Sequence, residues 1–192
     1  MPIVTGCQSR HNAHRKTPFR VSIYPGAGCN RICTTARFLS QTSSKPLTVL
    51  NTHLDHALDE QRKYGASLLL IRGRYEAVMS EGPVLLMGDF NSPPTGSDSG
   101  AYMIATGKVP PMQVDRRFVE KYSTEEREFP SFKFLDTLVE TPRFGVSANF
   151  ATFTGWSPKE AKQWTRIDFV LGGSNRRWYV HFHDCALRKG AT

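Results

Sequence analysis

Asp89 and Asn91 stand two residues apart in Val84-Leu-Leu-Met-Gly-Asp-Phe-Asn-Ser-Pro-Pro94, where an apolar run gives way to an acid, an amide and two prolines. The run reads as a buried strand, and the prolines forbid its continuation. A carboxylate and a carboxamide therefore sit at the carboxyl end of a core strand, where α/β proteins hold ligands. Two further strings share this grammar. Leu47-Thr-Val-Leu-Asn-Thr-His53 is an apolar strand ending in an imidazole, and Arg166-Ile-Asp-Phe-Val-Leu171 carries Asp168 inside a short apolar strand. The set suits hydrolysis of a phosphate ester, whose negative charge repels a nucleophile unless water is positioned and the charge neutralised. Asp89 can accept a proton from water, and Asn91 can hold that water or a phosphate oxygen. His53 can donate to another phosphate oxygen, and Asp168 can orient an imidazole. Each residue alone has a plainer reading. Asp-Phe-Asn after a strand is often an Asx turn, His53 a hydrogen-bonded structural histidine, and Asp168 a partner for Arg166.

The elements that must position these groups alternate in period. Arg31 to Leu39 and Pro46 to Leu54 read as strands joined by the turn-forming Ser-Gln-Thr-Ser-Ser-Lys. Tyr64, Leu68, Ile71, Tyr75 and Val78 then recur at three- and four-residue steps, predicting a helix from about Leu58 to Ser80 with that apolar face inward. Gly82-Pro83 ends it, and the strand to Phe90 follows. A short helix near Tyr102 to Thr106 comes next, and Lys108 to Pro142 shows little regularity beyond a further short helix. Phe150 to Trp156, Arg166 to Leu171 and Trp178 to Leu187 are strand-like. Strands interrupted by one long helix and irregular segments indicate a mixed α/β domain.

The 192 residues, 39% hydrophobic and 22% charged, are ordinary for one globular domain. No apolar stretch reaches a membrane span, and the first residues lack the apolar region of a secretory signal, so an intracellular protein is expected. Cys7, Cys29, Cys33 and Cys185 form no CxxC pair, which favours reduced thiols over a zinc site. His53 with His56, or His181 with His183, has ligand-like spacing but no third ligand. Charge is uneven: residues 1 to 54 contain seven Lys and Arg and no acid, so they hold +7 of the formal +8. Residues 1 to 27 read as a basic, weakly ordered tail able to touch a polyanion. The same charge would belong to an arm with no partner.

Asn-Thr-His-Leu-Asp-His at 51 to 56, Gly-Asp-Phe-Asn-Ser-Pro-Pro at 88 to 94 and Arg-Ile-Asp-Phe at 166 to 169 resemble the endonuclease/exonuclease/phosphatase family, the fold group of deoxyribonuclease I. Thr-Phe-Thr-Gly-Trp at 152 to 156 and Gly-Gly-Ser at 172 to 174 add to the likeness. The resemblance implies a four-layer α/β/β/α sandwich and Mg²⁺-dependent cleavage of phosphate mono- or diesters, with residues 28 to 192 forming a partial domain. It implies that His53 contacts the phosphate, Asp89 activates water, Asn91 orients it and Asp168 pairs with a final histidine. Asn51 and Arg37 are implied as weaker candidates for substrate contact.

Two features depart from the family pattern. Members carry an early Gln-Glu whose carboxylate is the principal metal ligand, whereas nothing before His53 here is acidic. Members also end with Ser-Asp-His, which this sequence lacks; His183-Asp184 runs in the opposite order. The expectation is an incomplete sandwich, apparently truncated at both ends. Its counterpart is a scaffold without turnover, hydrolysing a generic diester no faster than an Asp89→Ala control.

Overall fold

The computed structural model describes residues 31–125, 127–140, 151–153 and 164–176. The basic tail, the strand expected over 178–187, and His181 and His183 lie outside them. The described residues build one five-stranded sheet with strands β1 (Cys33–Leu39), β2 (Pro46–His53), β3 (Val84–Asp89), β4 (Phe134–Asp136) and β5 (Asp168–Gly173). Their spatial order is β1-β2-β3-β5-β4. β1 and β2 form the expected hairpin, β2 and β3 run parallel, and β5 lies antiparallel to both β3 and β4. The parallel step needs a long crossover, and helix α1 (Asp59–Ser80) supplies it. Three short helices follow, α2 (Gly100–Ala105), α3 (Arg116–Lys121) and α4 (Thr137–Glu140). Strand β4 falls in the stretch expected to be mostly irregular, since three residues are too few to display a period. Gly172 and Gly173, just past the strand expected over Arg166 to Leu171, are the last residues of β5.

Alternation gives the sheet two unlike faces. Leu50, Val84, Leu86, Phe134, Phe169 and Leu171 are buried against α1 and α2. The opposite face carries Val49, Leu85 and Met87, half-buried, with Val170 at 48% exposure. No second sheet occurs among the described residues, so the four-layer arrangement is not seen within them.

The buried stripe of α1 differs from the one the aromatic spacing predicts. Leu68 is buried as expected, but the other buried residues are Arg62, Gly65, Ala66, Ser67, Leu69, Gly73, Glu76 and Ala77. The reason is proximity. A Cβ at Gly73 would stand 2.5 Å from Phe134 Cζ, so small residues must face the sheet. Tyr75 packs edge-on against Tyr122 instead, and the Tyr64 hydroxyl accepts from the Asp115 amide.

Candidate functional site

Three strands end side by side. In the ladder, His53 of β2 neighbours Asp89 of β3, and Asp89 in turn opposes Asp168 of β5. Opposed residues project to the same face, so an imidazole and two carboxylates form one row across the sheet. His53 Nε2 lies 3.4 Å from Asp89 Oδ2, an ion pair when the ring is protonated. The His53 side chain is 53% exposed and Asp168 is exposed, so the row is open to solvent.

Two local features hold the row together. The first is glycine. Gly88 has φ +133°, and a Cβ there would meet the Thr52 carbonyl oxygen at 1.9 Å. Only glycine lets β3 approach β2 this closely just before the acid. The second is a repeated dipeptide. Asp89-Phe90 and Asp168-Phe169 each place an acid on the open side and a ring in the core. The two rings touch at 5.2 Å between centroids, and Tyr102 packs on Phe169 at 5.0 Å. Phe90 N also donates to the Ile167 carbonyl. The core contact thus fixes the spacing of the acids above it.

Asn91 reaches the site by another route than an extended strand. β3 stops at Asp89, and Asn91 sits at φ 47°, its amide N donating to Asp89 Oδ1 at 2.7 Å. This is the Asx turn that the plainer reading named. The Asn91 carboxamide donates to the Leu54 carbonyl at 3.1 Å, tying the end of β3 to the end of β2. Asp55, 1% exposed, accepts from the amides of Ala57 and Leu58 and starts α1. Arg62, buried, joins the His56 carbonyl, Asp59 and Asp98, so the loop after the Asx turn is anchored to the helix start.

No family model and no curated protein matches the chain. Solved structures do. The chain is similar to the endonuclease/exonuclease/phosphatase from Bacteroides vulgatus, with 25% identity and a TM-score of 0.51 over 77% of this chain and 46% of that one. It is also similar to an endonuclease/exonuclease/phosphatase family protein from Bacteroides thetaiotaomicron, with 18% identity, a TM-score of 0.52, and 77% and 43% coverage. This is an endonuclease/exonuclease/phosphatase fold. The chain spans less than half the length of either structure.

Within that fold, His53, Asp89, Asn91 and Asp168 come together at the strand ends. Asn51 lies one pleat back from His53 on the same face, exposed. Arg37 does not join them. It turns to the helix side, where its Nε donates to Glu76 Oε2 at 2.9 Å. Arg166 does not neutralise Asp168 either. It forks onto Asp136, 5% exposed, which also accepts from the Tyr102 hydroxyl at 2.9 Å. Burial and the neighbouring Asp136 carboxylate push the Tyr102 hydroxyl up to about 12. Asp168 N, with Ile167 N, donates to Thr152 Oγ1. The sequence reading missed Asp136, Tyr102, Thr152 and Arg62 as supports. Their partners are 30 or more positions away for Arg166 and Tyr102, and no local period carries such pairings.

Proposed function

We propose that the row His53, Asp89 and Asp168, with Asn91, is a site for hydrolysis of phosphate esters. The single observation that supports this most is the ladder register: one imidazole and two carboxylates on neighbouring strand ends, open to solvent. Asp89 takes the proton from an attacking water, with Oδ1 already committed to the Asn91 amide and Oδ2 turned toward His53. His53, when protonated, binds a phosphate oxygen and offsets charge that accumulates on it. Asn91 fixes Asp89 through the Asx turn, so the base keeps one orientation.

Asp89 and Asp168 are hard oxygen donors of the kind Mg²⁺ takes. Among the described residues no three His, Cys, Asp or Glu side chains are grouped so that they could hold the ion together, so by themselves they do not fit it. No helix among the described residues is long and apolar enough to cross a membrane.

A second reading, a phosphate-binding scaffold without turnover, draws on that same two-carboxylate donor set. The two separate in one assay. The full chain is given bis(p-nitrophenyl) phosphate with Mg²⁺ beside an Asp89→Ala control. Hydrolysis at least 100-fold above the control is expected for a working site, given the usual contribution of a positioned base. Equal rates would leave only the scaffold.

A further inference from the structure

We infer that the site extends into a subsite for a second anionic group, built around Arg31; the inference rests on the phosphate-ester reading above. Beside the row lies an open cleft of about 250 Å³ lined by Arg31, Ile32, Thr34, Asn51, Thr52 and His53. His53 is shared, so a ligand held in the row extends naturally into the cleft. Thr34 and Asn51 are register partners on β1 and β2. Both are exposed and lie on the face that carries His53, offering a hydroxyl and an amide.

The charge of the lining has one sign. Arg31 is its permanent cation, and none of the six residues is an acid. Arg31 Nη2 is held at 3.2 Å from His56 Nδ1, which orients the guanidinium. Its Nε is buried and has no hydrogen-bond partner among the described residues. A planar guanidinium suits phosphate or carboxylate oxygens, since it offers two donors side by side. The substrate class that matches is a phosphate ester bearing a second phosphate or carboxylate close to the scissile group. A singly charged ester held in the row would leave the Arg31 charge unanswered.

Equilibrium binding to the full chain in EDTA, with the ligands checked for hydrolysis afterwards, tests this. Thymidine 3′,5′-bisphosphate is compared with thymidine 5′-monophosphate, and glucose 1,6-bisphosphate with glucose 6-phosphate, by titration calorimetry. The bisphosphate of at least one pair should bind tenfold or more tighter, and the pair showing it names the scaffold. Arg31→Gln should abolish that preference, and Arg31→Lys should keep part of it through charge alone. Lys45→Gln, which removes an equal charge at the hairpin turn, should leave it intact. Equal binding within both pairs, or a preference that survives Arg31→Gln, overturns the subsite. Because no hydrolysis is read, absence of turnover in the diester assay would sink the reaction and leave this inference standing.

Discussion

Two charged clusters lie on opposite faces of the same sheet, and their partners set them apart. On the helix side, Glu76 is fully buried between Arg37, at 2.7 Å, and Arg72, a turn earlier on α1. Arg72 also lies over the Tyr122 ring at 4.4 Å. There one carboxylate meets two cations, and its charge is answered within the fold. On the open side two carboxylates, Asp89 and Asp168, oppose each other in the ladder. The imidazole of His53 is 3.4 Å from the nearer one. Like charges set opposite each other in a sheet are unfavourable. Under the proposed function that opposition serves a ligand, whereas the first cluster is explained by packing alone.

The largest effect should come from the helix side. Glu76→Ala leaves Arg72 buried and without its carboxylate, which costs on the order of 3 to 5 kcal/mol. Urea unfolding should show it as a lower midpoint, with Glu76→Gln in between. A loss below about 1 kcal/mol would mean the arginines reach water, and the contrast between the faces would fade. Gly88→Ala comes next. The methyl cannot occupy the space of the Thr52 carbonyl, so β2 and β3 must part at the site end. Strain at such a backbone costs about 1 to 3 kcal/mol, and the diester rate should fall more than Glu76→Gln lowers it. Unchanged stability and rate would show that the close approach does not hold the row.

How far these clusters were legible beforehand depends on whether their parts are local. His53 and Asp89 end apolar runs, and period alone places them at strand ends, whereas Asp168 was expected inside a strand over 166–171 and is the first residue of β5. Their convergence follows once β2 and β3 are parallel and joined by α1. Arg37 shows the limit. Alternation of β1 places it on one face or the other, but only the buried Glu76, 39 positions on, says that this face is the helix side. The stripe of α1 was misread for a similar reason. Tyr64, Tyr75 and Val78 carry the hydrophobic signal, yet closeness to Phe134 demanded Gly73 and its small neighbours at the contact. Apolar spacing reports hydrophobicity, whereas the interface was chosen by distance.

A smaller effect of opposite sign tests the open face. Asp168→Asn removes one of the two opposed charges and should stabilise the fold by a few tenths of a kcal/mol, up to about 1. The diester rate should fall. Stability and activity moving in opposite directions is the signature that separates a strained site from a packed one. If Asp168→Asn destabilised the chain as Glu76→Ala does, both clusters would be structural.

The smallest effect concerns Cys33, which shares the buried side with Arg72 and Glu76 and is 1% exposed. Burial pushes its thiol from the ordinary 9.0 up to about 12, against the pull of Arg72. Desolvation therefore outweighs a nearby cation here, as it should where Arg72 is already engaged by Glu76. The folded chain holds this proton more tightly than the unfolded one. The associated stability is whole below about pH 9 and is lost as pH rises from 9 toward 12. At pH 8 the thiolate is scarce and shielded, so iodoacetamide should label Cys33 at least tenfold more slowly in the native chain than in urea. Glu76→Ala should speed that labelling, because loosening the contact between α1 and the sheet admits water to the thiol. Equal labelling of native and unfolded chain, followed at the Cys33 peptide by mass spectrometry, would show the helix-side cluster to be open, as the site on the other face is.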